Sequence, residues 1–345
     1  MKTVLFCVNA YSFGILEPIM MVLKERKDDY LWYVKDTILE KFPFKKEPCT
    51  SKINDLVTYL PDVIFVPGNE VPHYLRGLKV QVFHGLAGEK KGHFRIRHYF
   101  DVYLTQGPYF TRKFLTFKEK HKNFDVVETG WPKLDVYGKE LYKYEADKKL
   151  LLEKYQAKSI ILYAPTFSPS LTSAPYLLKQ IKTLSENKDY LILIKFHDLM
   201  STELIEAYQK LANQVENIEY ENERNIIKFL LMSDIMISDT SSVVYEFLLL
   251  NKPVITFKNS SKTIQWDNSL TYDALSEKVK ENLEIDHFKI QREKVLSEYH
   301  PYSDGNSALR MVESVENLIQ INGVPSERKL PWLRRRKMNK MFGKL

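Results

Sequence analysis

Two histidines and one polar cluster are the residues best suited to chemistry. His84 follows VQVF and precedes Gly85, whose missing side chain lets a ligand approach the backbone. His197 ends LILIKFH, beside Lys195 and Asp198. Imidazoles at strand ends take a proton from an attacking hydroxyl, hold a phosphate when protonated, or serve the structure alone. The polar cluster is Ser238-Asp239-Thr240-Ser241-Ser242, inside SDIMISDTSSVVYEFLLLNKPVITF. Periodicity reads this stretch as strand 235–237, tight loop, buried helix 243–250 and strand 254–257. A loop handing a strand to a helix gathers unpaired N–H groups and the positive end of the helix dipole, which suits an anion. One residue suffices for a helix cap, so five polar residues point to a phosphate as well.

Other positions extend this chemistry. Thr166 and Ser168, in YAPTFS, either donate to a phosphate or cap the next helix, and capping is the expectation for Ser168. Glu246 returns to the face of Ser242 one turn later, where a carboxylate accepts ribose hydroxyls or simply suits the helix dipole. After His84, the stretch GLAGEKKGHFRIRH carries Lys90, Lys91, Arg95 and Arg97, the makings of an anion-meeting loop or an ordinary solvated one. Asp304 lies in YSDGNS, which reads as a cap or anion nest before a closing helix. There is no CxxC, HExxH or Asp-x-Asp for a metal, no G-x-S-x-G elbow and no G-x-G-x-x-G fingerprint. No metal and no cofactor are expected.

The elements that must position these residues alternate. Apolar strands are expected at 3–8, 30–34, 63–67, 80–83 and 102–105, then at 159–163, 190–195, 218–220, 235–237 and 254–257. Helical segments lie between them, including 15–26, with a closing helix at 311–321. This predicts an α/β protein of two Rossmann-like doubly wound domains, residues 1–150 and 151–322, facing a central cleft. Ligands collect at the carboxyl ends of such strands. A length of 345 residues agrees with two domains. Two cysteines, Cys7 and Cys49, make no disulfide framework and suit a reducing cytoplasm.

The net charge of +7 is a tail property. Residues 328–345 hold eight Lys and Arg and no acid; removing those eight from 51 leaves 43 basic against 44 acidic residues. A near-neutral body argues against nucleic acid as a partner. In the tail, 323–345, Met338, Met341, Phe342 and Leu345 fall at i, i+3, i+4 and i+7 beside the basic residues. This is the pattern of a helix lying on anionic lipid, or of a disordered basic tail. The apolar N-terminus is interrupted by Asn9, Ser12, Glu17 and Pro18, unlike a signal peptide, and no run is long enough to span a bilayer.

The order of motifs resembles the CDP-glycerol glycerophosphotransferase family, enzymes of teichoic-acid-type polyol phosphate synthesis. The motifs are His84-Gly85 after a strand, GWPKLD, LYAPT, Lys195-x-His197, SDTSS with LLLNKP, and DGNS before the last helix. The resemblance implies a glycosyltransferase-B-like (GT-B) fold with an acceptor-side first domain and a nucleotide-donor-binding second domain. It implies transfer of glycerol phosphate, or a related polyol phosphate, from a CDP-activated donor to an acceptor hydroxyl, with release of CMP. His84 would then be the base toward the acceptor, and His197 the second essential histidine, near the donor phosphates. Ser241 and Ser242 would hold the pyrophosphate, with Glu246 where the family often has Asp. The implied partners are CDP-glycerol or a similar donor, a lipid-linked or glycan acceptor, and an anionic membrane surface. The implied location is cytoplasmic, peripheral on the inner face of a bacterial membrane. Lys-Phe-His-Asp replaces the usual Lys-Pro-His-Pro, and the His-Gly motif runs on as Leu-Ala-Gly. The main rival is a GT-B glycosyltransferase using a nucleotide sugar for cell-surface glycans.

Overall fold

The computed structural model describes residues 1–86, 93–223, 225–261 and 264–344, which form two compact units. The first joins Met1–Lys139 to Glu298–Leu345; the second is Glu140–Ser297.

In the first unit seven parallel strands form one sheet: β1 (Lys2–Cys7), β2 (Asp29–Val34), β3 (Cys49–Thr50), β4 (Val63–Val66), β5 (Leu78–Gln81), β6 (Val102–Thr105) and β7 (Asp125–Glu128). Their order is β3-β2-β1-β4-β5-β6-β7. VIFV of β4 and VYLT of β6 are buried at every position, as strands covered on both faces must be. In the second unit the strands are β8 (Ser159–Tyr163), β9 (Tyr190–Ile194), β10 (Ile218–Tyr220), β11 (Ile235–Ser238), β12 (Val254–Phe257) and β13 (Asp267–Ser269). These too are parallel, in the order β10-β9-β8-β11-β12-β13. Each sheet reverses its winding once, between β1 and β4 in the first and between β8 and β11 in the second. Loops that leave neighbouring strands toward opposite faces open a crevice at such a point. β3, β7 and β13 were not read from the sequence, being short or polar.

The sequence placed the closing helix with the second half. The structure corrects this: the helix Ser307–Asn322 buries Ala308, Met311, Val312 and Val315 in the first unit's core, beside Leu16 and Ile19 of the helix Ser12–Glu25. An apolar stripe fixes that a helix is buried, not which sheet buries it. The domain limit likewise falls at Lys139/Glu140 rather than at 150.

The tail is corrected as well. It forms the helix Trp332–Phe342, packed on the first unit. Met338 is fully buried, and Phe342 meets Phe6 edge-on at 5.7 Å. Arg328 is also buried; it pairs with Asp101 and donates to the carbonyls of His98 (2.6 Å) and Asn123 (2.8 Å). Of the four side chains expected to face lipid, Met338 and Phe342 are spent on the protein, Met341 is exposed, and Leu345 lies outside the described residues. Trp332 and Leu333 are exposed as well. No helix among the described residues is long and apolar enough to cross a membrane.

Candidate functional site

His84 sits at the winding reversal of the first sheet. β5 ends at Gln81, whose amide donates to the carbonyls of Val66 (3.2 Å), Pro67 (3.2 Å) and Gly68 (2.8 Å) and so ties β5 to the turn after β4. Phe83, expected in the strand, instead has φ of +63°, and its ring stacks on His93 at 5.2 Å. A bulky residue held there costs roughly 1–3 kcal/mol. The turn it makes presents His84 at the surface. The His84 ring lies 5.3 Å from Tyr11, just before the helix that follows β1, and its Nδ1 is 3.0 Å from the Pro67 carbonyl at the end of β4. A carbonyl only accepts, so Nδ1 carries the proton, and Nε2 of the neutral ring is the proton acceptor.

His197 has the opposite wiring. It follows β9 and is exposed, with its ring 4.5 Å from Phe167 in the loop after β8. Its Nδ1 accepts the Leu199 N–H at 3.1 Å, so Nε2 carries the proton and donates. Burial lowers its pKa, and Lys195 adds to this against the pull of Asp198, which favours the neutral ring at pH 7.

The loops at the reversal of the second sheet are held by Asp239. Its carboxylate is fully buried and accepts the Thr166 N–H (2.8 Å), the Ser173 N–H (2.8 Å) and the Ser173 hydroxyl (2.9 Å). Burial pushes this carboxyl up to about 6 against those hydrogen bonds. Asp239 therefore organises the loop after β8 and is not aimed at a ligand phosphate, contrary to the sequence expectation. Ser238 is spent in the same way: fully buried, it donates to the Ala164 carbonyl at 2.7 Å. Thr240 accepts the Ser260 N–H at 3.2 Å, and Asn259 donates to the Asp239 carbonyl at 2.7 Å, drawing in the loop after β12. The remaining members, Ser241 and Ser242, are half-buried, and their hydroxyls have no hydrogen bond among the described residues. Thr166, in the loop after β8, is half-buried.

Further assignments change. The helix after the cluster spans only Val243–Leu248, and Ser242 precedes it without a side-chain cap. Glu246 is buried on that helix. Lys195 is buried; its ammonium donates to the Phe196 carbonyl at 2.8 Å, and burial lowers its pKa. Ser168 does not cap the next helix: its carbonyl closes a turn to Leu171 and Thr172, and Ser173 precedes the helix Ala174–Leu184. Of the loop after His84, the Gly85 carbonyl accepts from Gln106 at 3.0 Å, and Arg95 is exposed. Arg97 is half-buried and donates to the Arg95 carbonyl at 3.2 Å. Lys90 and Lys91 lie outside the described residues. No cluster of three or more metal-ligating side chains occurs among the described residues.

The expected anion nest before the closing helix already holds an anion of the protein itself. Asp135, from GWPKLD, accepts the N–H groups of Ser307 and Ala308, each at 2.8 Å. Asp304 pairs with Arg310 at 2.6 Å and accepts the Asn306 N–H at 3.1 Å, so it shapes that turn and is no phosphate ligand. Gly130 belongs to the same junction: its φ is +86°, and a Cβ there would lie 2.4 Å from the Ser307 hydroxyl. Sequence reasoning missed Asp135, Gln81, Tyr11 and Phe167 as positioning residues. The aromatic pair carried a faint signal, since each lies four residues past the end of a strand.

A model of the CDP-glycerol:poly(glycerophosphate) glycerophosphotransferase family matches residues 84–317. The chain belongs to that family. The match begins at His84 itself. Among relatives, the chain is 29% identical over 213 residues to the teichoic acid glycerol-phosphate primase of Bacillus subtilis (strain 168), covering 57% of this chain and 53% of the relative. It is 27% identical over 274 residues to the teichoic acid ribitol-phosphate polymerase TarL of Staphylococcus aureus (strain NCTC 8325 / PS 47), covering 68% and 47%. The chain thus spans about half the length of these relatives. The fold is similar to that of the wall teichoic acid polymerase TagF, with a TM-score of 0.65 at 18% identity, covering 93% of this chain and 89% of that one. It is also similar to UDP-GlcNAc 2-epimerase from Neisseria meningitidis, with a TM-score of 0.61 at 14% identity, covering 92% and 100%. Both are GT-B folds, and the expected fold class holds.

Proposed function

We propose that the chain transfers glycerol phosphate, or a related polyol phosphate, from a CDP-activated donor to an acceptor hydroxyl in bacterial surface-polymer synthesis. The observation that carries this reading is the opposite wiring of the two histidines, one ring set to accept a proton at Nε2 and the other to donate from it. Family membership supports the reaction class, and one solved structure of TagF is described as a variant soaked with CDPG.

In this reading His84 removes the proton from the acceptor hydroxyl as its oxygen attacks the β-phosphorus of the donor. A new oxygen–phosphorus bond forms, and the bond to the bridging oxygen breaks with its electron pair going to CMP. His84 later yields its proton to solvent. His197 donates to the phosphates, with Ser241, Ser242 and Thr166 supplying hydroxyls. Such transfers rest on positioning and on stabilising developing charge.

The proposed location is peripheral, at the inner face of the membrane, with the exposed Trp332 and Leu333 beside the basic residues of the last helix meeting lipid. Removing the tail would also remove the buried Arg328 and Met338, so Trp332→Ala with Leu333→Ala is the cleaner probe of vesicle binding.

Thermal shift with CDP-glycerol, CDP-ribitol, CMP, UDP and UDP-sugars tests the donor class, followed by CMP release with the donor that stabilises. Cytidine-selective stabilisation is expected. Stabilisation by UDP-sugars alone would replace this reading with a nucleotide-sugar glycosyltransferase.

A further inference from the structure

The first unit holds a second concentration of positive charge that the proposed transfer does not use. A pocket of about 780 Å³ opens between the β4–β5 connection and the last helix. Its wall carries Arg335, Arg336, Lys340 and Lys344 against a single acid, Glu327. None of these four cations has a carboxylate partner among the described residues, whereas Lys337 on the same helix is paired with Glu70 at 3.0 Å. Unpaired cations gathered around a concavity raise the local concentration of an anion.

Two orphaned polar atoms mark the same wall. His73 is 5% exposed, and its Nδ1 is buried with no hydrogen-bond partner among the described residues. The side-chain oxygen of Asn339 is buried and unpartnered too. An unmade hydrogen bond of this kind costs free energy, which a bound group relieves. Rotating the Asn339 amide would present its NH2, and a neutral His73 carries one N–H. Arg supplies paired donors to an oxyanion and Lys supplies charge, the usual recognition of phosphate.

We infer that this pocket binds a phosphate ester group, supplied either by a soluble polyol phosphate or by an anionic lipid headgroup. The inference goes beyond the proposed transfer and does not depend on which donor is used. The β4–β5 connection carries Pro67, which holds His84, then Glu70, which holds the last helix, then His73 in the pocket. A phosphate bound there meets the same segment that orients His84.

The test follows the His73 ring by NMR in the full chain during titration with glycerol 3-phosphate, and separately with vesicles of phosphatidylglycerol or of phosphatidylcholine. A saturable shift with glycerol 3-phosphate assigns the soluble source. A shift only with phosphatidylglycerol vesicles assigns the lipid source. In either case Arg335→Gln with Lys340→Gln, both exposed positions, weakens binding about tenfold or more. No shift with any ligand, or an equal shift in the double variant, overturns the inference. CDP-glycerol stabilisation measured on the same double variant stays unchanged, which separates this site from the donor site.

Discussion

The imidazole of His84 and the carbonyl of Pro67 are 3.0 Å apart, and this hydrogen bond decides which ring nitrogen can act as a base. The His84→Asn variant keeps a donor for the Pro67 carbonyl but has no basic nitrogen. It is expected to lose transfer by about 10²–10⁴-fold, like His84→Ala, with donor affinity unchanged. CMP release and donor binding, measured side by side, check this. Near-normal transfer by His84→Asn would remove His84 from the role of base.

For His197 the expected order is different. The His197→Gln amide places an N–H near the position of Nε2, so it retains more activity than His197→Ala, which falls by about 10²-fold. Equal loss in both variants would mean that a donor at this position is not what the reaction needs.

Asp239 gives a pH-dependent stability. Its folded pKa is raised from 3.8 to about 6 by burial, so between those values the folded state holds a proton that the unfolded state has released. The contribution of this carboxyl to stability therefore falls as pH rises from about 4 to about 6, by up to about 3 kcal/mol, and is constant above. Asp239→Asn lacks this component. It also turns one accepting oxygen into a donor facing the N–H groups of Thr166 or Ser173, at a cost of about 3 kcal/mol at neutral pH. Urea unfolding of both proteins across this pH range checks the shape and the offset.

Asp135→Ala leaves two N–H groups at the start of the helix Ser307–Asn322 without their carboxylate, an expected loss of about 2–4 kcal/mol. Gly130→Ala strikes the same junction by adding a methyl group at a positive φ, and is expected to cost more than about 2 kcal/mol. Hydrogen exchange in that helix rises in both variants. Unchanged protection there would show that the junction does not hold the helix.

Consecutive residues were enough to place most of the long strands to within two or three positions, both histidines at strand ends, and the motifs that mark the family. Each of those features depends on side chains adjacent in the chain: apolar runs for the strands, and a polar residue directly after a run for the site. What each polar side chain touches was a different matter. Asp239 and Thr166 are 73 residues apart, and they meet because the sheet order sets β11 beside β8. Asp135 and Ser307 are 172 apart, and they meet because the closing helix packs on the first sheet rather than the second. Only the tertiary structure could divide SDTSS into residues that hold the loops, Ser238 and Asp239, and the half-buried Ser241 and Ser242, whose hydroxyls have no hydrogen bond among the described residues. Burial and hydrogen-bond partners are properties of neighbours in space, and the one-dimensional pattern of polar and apolar residues does not record them.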